Sequence, residues 1–416
     1  MFKKKQFYFD VIVNMMAFGI YIGAFHLVMM PYLANVLPVA TNARLLTYIM
    51  FNNILSLSLG NELGILYLIL EGRRPGLHNL QDIRRLLKLT NAGVAVGMLI
   101  LLALLGFSPL EVVVLSLVTV MTNQRLYLQN FLKQQKNFKA IGVGNLFYLI
   151  GVVAAIILLN VYSVIFWLPL LLSEVLSLAS LYPLTRDSRA VPAGKSPYHK
   201  DAAKEYRELI WATLLTNIPN YTDKLLVLPL LGSVAMSAYY AGTVLSKMLF
   251  LLVNPVNSVL LAWLSSDRET KDKDVIRIQL RVNLLILGLL ILTGIPMTYI
   301  MVRILYQQFL PQVASILFPL ALISAFAIAS SLLRVVFLRY YDLKYLKFIN
   351  MLQIIVFLIL PPLGATWLGL SGFAYGMAVS KVVLWASFFL MLLKGGHYRT
   401  SGVVEETADN REIMEG

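Results

Sequence analysis

The chain is built from apolar blocks of about twenty residues, separated by short polar breaks, and this pattern limits it to very few folds. In lipid every backbone N–H and C=O must find a partner within the protein, so only helices and closed barrels can cross. The blocks are too long and too weakly alternating for barrel strands. With 59% hydrophobic and 13% charged residues, the chain is far more apolar than a soluble domain. The predicted fold is all-α and integral to the membrane. About twelve spans are expected, near 8–31, 45–70, 89–107, 110–131, 140–160, 163–184, 207–231, 234–264, 279–304, 313–337, 346–367 and 370–393.

The net charge of +14 suggests a nucleic-acid partner only until the charges are placed. Most Lys and Arg fall in alternate loops: Lys3–Lys5, Arg73 to Lys88, Lys133 to Lys139, Arg186 to Lys204, Arg268 to Lys273, Arg339 to Lys347, and Lys394 with Arg399. These loops are expected to be cytoplasmic, with both termini inside, which needs an even number of spans. No nucleic acid is expected. The basic start MFKKKQFYFD runs into an apolar stretch with no small-residue cleavage site and reads as a retained first span. The chain has no Cys and only four scattered His, and HEXXH, P-loop and GXSXG patterns are absent, so neither a metal nor a catalytic site is expected.

The longest break, RDSRAVPAGKSPYHKDAAKEYR, follows span six. It divides the chain into an N-terminal six-helix lobe (1–185), a cytoplasmic linker (186–206), a C-terminal six-helix lobe (207–394) and a polar cytoplasmic tail (395–416). Six is even, so both lobes start on the same side, as parallel repeats do.

Several spans carry polar residues at helical spacing. Span seven has Thr213, Asn217, Asn220 and Lys224, and span eight has Tyr240, Thr243, Lys247, Asn254 and Ser258. Span four has Ser116, Thr119, Asn123, Tyr127 and Asn130. Small polar side chains often only fasten helices together. A Lys at mid-span is different, because intramembrane charges normally face a bundle interior or a watery cavity. A central cavity is therefore expected, lined by Lys247, Lys224, Lys381, Arg44, Arg125, Arg334, Asn217, Asn220, Tyr240 and Thr243. More cations than anions suit an anionic substrate. Asp223, Glu62 and Glu174 are candidates for a coupling Na+ or H+. Arg125 and Arg334 lie within two turns of the cytoplasmic end, where snorkelling is the default reading. Asp223 and Lys224 are adjacent, about 100° apart around a helix, and are expected to point to different sectors rather than pair.

The stretch DKLLVLPLLGSVAMSAYYAGTVLSKMLFLLVNPVNSVLLAWLS, from Asp223, resembles the opening of the second half in Wzx-like polysaccharide flippases of the multidrug/oligosaccharidyl-lipid/polysaccharide exporter superfamily. MMPYLANVLP and WLGLSGFAYGMAVSKVVLWASFFL resemble that family's first turn and last span. PVATNAR departs from the family's usual Gly after the first turn. The resemblance implies a MATE-like or MurJ-like flippase fold, two lobes around a central cavity, in a bacterial plasma membrane. It implies alternating-access transfer of an oligosaccharide linked to undecaprenyl diphosphate, with no catalysis and no cofactor. Polysaccharide polymerase and chain-length machinery would be the partners alongside membrane lipids. A multidrug or cation antiporter of the same superfamily is the first alternative, and a membrane polysaccharide polymerase the second. Short outer loops argue against the polymerase.

Overall fold

The computed structural model describes residues 2–73, 77–161, 165–185, 199–266, 272–341 and 343–394, with some side chains within these helices left undescribed. Among the described residues the chain is helical and has no strand. The helices are α1 (Phe2–Ile22), α2 (Met30–Val36), α3 (Val39–Ser56), α4 (Glu62–Arg73), α5 (Leu77–Leu104), α6 (Pro109–Gln134), α7 (Phe138–Val161), α8 (Leu168–Leu184), α9 (His199–Ser266), α10 (Asp272–Leu305), α11 (Leu310–Ala314), α12 (Leu317–Tyr340) and α13 (Leu343–Lys394).

Two of these are double. Gly232 takes a positive φ of 82° inside α9, and Leu368 with Gly369 (φ 59°) breaks α13. A residue with a Cβ adopts this left-handed backbone only with strain, so glycine stands at both breaks. Two spans are each assembled from two helices with a π-helical segment between, Gly23–Met29 joining α1 to α2 and Leu57–Asn61 joining α3 to α4. Pro31 accounts for the first, because it lacks an N–H and its ring crowds the preceding turn. Counted this way, with α9 and α13 each split and the short α11 set aside, the helices supply the twelve expected spans; most run past the predicted limits, α5 furthest, since it starts at Leu77 rather than at 89.

Among the described residues, eight helical stretches are long and apolar enough to cross a membrane on length and composition alone. Tyr345–Lys394 is double length, and α8 is apolar but short. Their exposure is that of helices in lipid. On α10, Leu285 and Leu292 stand out seven residues apart, while Leu280, Asn283 and Leu287 are buried. On α5, Val96, Ile100 and Leu104 form a similar outer row. Span four, α6, reverses the pattern and buries its polar side: Ser116, Thr119, Asn123, Tyr127 and Asn130 are all buried.

The chain packs as two compact units. The first takes the chain through Val244 together with Ile300–Ala314, and the second takes Leu245–Tyr299 and the chain from Ser315 onward. In the first, α7 packs on α8 and α1, and α6 packs on α4, α5 and α8. Gly60 and Gly64 allow the π segment and α4 to approach α6, since a Cβ at either would lie 2.4 Å from Asn123 or Asn130. In the second unit α12 packs on α13 through Leu333, Phe337, Tyr341 and Phe388. Residues 186–198 of the expected linker, and the tail from Gly395, lie outside the described residues.

Candidate functional site

The polar interior of the first unit is organised around Arg125 of α6. Its Nε donates to Glu174 Oε2 at 2.8 Å and its Nη2 to Oε1 at 3.0 Å, a bidentate pair with α8. Thr122 donates to the same carboxylate at 2.9 Å. The guanidinium carbon sits 4.6 Å from the ring centre of Tyr21 and 5.1 Å from that of Tyr148. Arg125 is 1% exposed and Glu174 3% exposed. The snorkelling expected for Arg125 is therefore corrected: the head group turns inward, because a fixed counter-charge and two aromatic faces replace the water it would otherwise reach.

The second charged pair is Lys224 with Asp223 on α9, and it too departs from expectation. The Lys224 ammonium donates to Asp223 Oδ2, while the Lys224 backbone N–H donates to Oδ1 at 2.9 Å. The 100° offset between neighbouring positions holds for Cβ atoms, yet a four-carbon stem is long and flexible enough to fold back across it. The ammonium also lies 5.2 Å from the ring centre of Tyr239. Both residues are buried, Lys224 to 1% exposure.

Around these pairs stands a group of buried tyrosines. Tyr240 is within 3.5 Å of His26 Nδ1, in the first π segment, and Thr243 donates to the Tyr240 carbonyl. The Tyr306 hydroxyl is buried with no hydrogen-bond partner among the described residues. Sequence reasoning selected Tyr240 for the cavity but missed Tyr21, Tyr148 and Tyr306. The available signal was tyrosine in apolar segments, where each buried hydroxyl asks for a polar neighbour.

Glu62 opens α4 immediately after the second π segment and is 6% exposed. Asn61 Nδ2 donates to it at 3.2 Å, and the Thr213 hydroxyl is its other hydrogen-bond partner. Arg44 lies elsewhere, at the α5–α6 turn. It pairs with Glu111 at 3.0 Å, reaches the Gly106 carbonyl at 3.3 Å and covers the Phe107 ring, with 41% of its side chain exposed. The side chains of Asn217, Asn220, Asn254 and Ser258 lie outside the described residues.

The second unit holds Lys247 and Arg334, both half-buried, and Lys381, which is 6% exposed. The boundary after Val244 separates Lys247 from Tyr240 and Thr243. The Nε of Arg334 is buried with no hydrogen-bond partner among the described residues. The spans of this unit carry no carboxylate: residues 245–266, 275–299, 315–341 and 343–394 contain no Asp or Glu. All the candidate carboxylates belong to the first unit. There Arg125 and Lys224 are paired with Glu174 and Asp223.

No family model matches the chain, and no curated protein matches it in sequence. Solved structures do match along nearly its whole length. An inward-facing multidrug resistance transporter of the MATE family, in the MOP superfamily, superposes with TM-score 0.62 at 15% identity, over 92% of this chain and 97% of that one. An outward-facing transporter of the same family gives 0.62 at 13% identity, over 92% and 94%. The lipid II flippase MurJ, in an inward closed conformation, gives 0.59 at 14% identity, over 93% and 86%. At such identities the likeness is one of fold, and it agrees with the MATE-like or MurJ-like architecture expected.

Proposed function

We propose that this protein is a flippase that moves an oligosaccharide linked to undecaprenyl diphosphate from the cytoplasmic to the outer leaflet, for export of a cell-surface polysaccharide. The observation that carries the reading is the charge of the second unit: Lys247, Lys381 and Arg334 in spans without a single carboxylate. A diphosphate has to leave water to cross, and cations on a low-dielectric wall are the groups that replace its hydration. Ser, Thr, Asn and Tyr of the stripes supply the hydrogen-bonding and stacking surface that sugars require. Two six-helix lobes alternate their opening while the polyprenyl tail stays in lipid. The protein sits in a bacterial plasma membrane with both termini cytoplasmic, and delivers to a polymerase with its chain-length machinery. The fold shared with a lipid II flippase supports a lipid-linked cargo.

Export of drugs or organic cations is the second reading, favoured by the similarity to MATE transporters and by the buried carboxylates Asp223, Glu174 and Glu62. It fits less well because two of those three carry their own cation.

The test is the leaflet that holds the lipid-linked oligosaccharide in cells depleted of the protein, scored with an external glycosidase. Cytoplasmic accumulation, rescued by wild type but not by Lys247→Ala or Lys381→Ala, is expected. Normal outward display after depletion would overturn the proposal and turn attention to cation export.

A further inference from the structure

Resting on the transport reading above, we infer that Glu62 holds the exchangeable proton of the cycle, and that Glu174 and Asp223 hold none. Among the described residues, three carboxylates of the first unit are buried at span depth, and their surroundings sort them. Glu174 is gripped by two N–H groups of the Arg125 guanidinium, and Asp223 by the Lys224 ammonium and its backbone N–H. A proton arriving at either would have to displace a built-in cation. Glu62 has no Lys, Arg or His within ion-pair distance among the described residues, and is held only by the Asn61 amide and the Thr213 hydroxyl.

Two neutral partners suit a carboxylic acid. Asn61 donates to Oε1, and the hydroxyl of Thr213 is a group that donates or accepts equally well, so it can also receive the O–H of a carboxylic acid. A carboxylate in the same place would be a charge out of water with no counter-charge beside it.

The surroundings also give the site a means of opening. The π segment Leu57–Asn61 releases backbone carbonyls that a regular helix would use, and side chains from other helices receive them. Tyr206 of α9 donates to the Leu59 carbonyl at 3.1 Å, and its hydroxyl also meets Thr90 of α5. Asn130 of α6 donates to Asn61 at both its carbonyl (3.1 Å) and its Oδ1 (3.0 Å), and Lys133 donates to Asn130 Oδ1 at 3.0 Å. Lys133 is thus the cation nearest along the network, two amides away. The ionisable groups of α5, Asp82, Arg84, Arg85 and Lys88, make no salt bridge with Glu62 among the described residues, and Arg44 of α3 is committed to Glu111. Moving the stretch of α9 that bears Tyr206 and Thr213 off the π segment would admit water to Glu62. The acid then loses its O–H proton to that water and leaves a carboxylate, and closing the contact takes a proton back.

Infrared spectroscopy of the protein in nanodiscs tests this without any substrate. Wild type at neutral pH is expected to show a protonated-carboxyl C=O stretch that is missing from Glu62→Gln, that shifts in D2O, and that disappears from wild type at alkaline pH. A spectrum in which wild type and Glu62→Gln coincide in that region overturns the inference, since Glu62 is then ionised. A band that never shifts in D2O also overturns it, because a sealed acid exchanges nothing. The band needs no cargo, so its absence counts against Glu62 alone, whereas normal glycan display after depletion counts against the flippase. In proteoliposomes, glycan transfer by Glu62→Gln should lose its response to a pH gradient.

Discussion

The Lys224 ammonium closes onto the carboxylate of its own neighbour, Asp223, inside a helix that both flanks prepare for lipid. Within the first unit the two charges cancel locally, and the Tyr239 ring covers the ammonium. A buried pair of this kind contributes little net stability, while removing one partner strands the other. Lys224→Ala and Asp223→Ala should each lower stability by about 3–5 kcal/mol. The double change Asp223→Ala with Lys224→Ala should fall well short of the sum. Thermal unfolding in detergent across the four proteins gives the double-mutant cycle, and additive single effects would show that the pair does not exist.

Arg125 and Glu174 make a stricter demand on geometry. The guanidinium uses two N–H groups at once and lies against two rings. Lysine keeps the charge and loses both features. Arg125→Lys should therefore behave nearly as badly as Arg125→Met in a melting assay. Tyr21→Leu, which removes one ring contact, should cost about 0.5–2 kcal/mol. A fully tolerated Arg125→Lys would mean that charge alone holds the site.

How much of this was legible in the sequence depends on the distance over which each feature acts. The twelve spans are local, written in blocks of about twenty apolar residues, and the structure returns all twelve, with helices that run past the apolar blocks into polar residues, as α5 does from Leu77. The polar stripe of span four was legible as a face, and the structure shows that face buried against the π segment and α4. The Arg125–Glu174 pair joins residues 49 apart in sequence, and neither periodicity nor charge pattern selects one buried partner from several. The Lys224–Asp223 pair was hidden for the opposite reason, since reasoning from Cβ directions ignored the reach of the lysine stem. The π segment before Glu62 leaves little trace in residue choice, as its freed carbonyls are met by Tyr206 and Asn130 from other helices.

The second unit yields a prediction about ligand charge. If its cations take a diphosphate, pyrophosphate should bind the purified protein and compete with the lipid-linked cargo. Lys381→Gln and Lys247→Gln should each weaken that binding about tenfold, close to 1.4 kcal/mol. Arg44→Gln should leave it unchanged, since Arg44 is tied to Glu111 at the turn before α6. Isothermal titration at two salt concentrations checks this, and equal losses for all three variants would indicate diffuse attraction rather than a site.

The glycines of α4 and its π segment test the packing on which the buried polar network depends. A Cβ at Gly60 would meet the backbone oxygen and side chain of Asn123 at 2.4 Å, and one at Gly64 would meet the Asn130 side chain at 2.4 Å. Backbone oxygen cannot swing aside as a side chain does, so Gly60→Ala must push the two helices apart. Overpacking of this kind costs about 1–3 kcal/mol, and here it also pulls Asn130 away from Asn61. Gly93 and Gly97 of α5 have nothing within 4 Å of a built Cβ and sit in regular helix. Alanine there should be neutral or stabilising by about 0.5–1 kcal/mol, through helix propensity alone. Melting temperatures of the four alanine variants separate the cases. If Gly60→Ala and Gly93→Ala unfold together, the close approach of α6 to the π segment is not what fixes Asn61 beside Glu62.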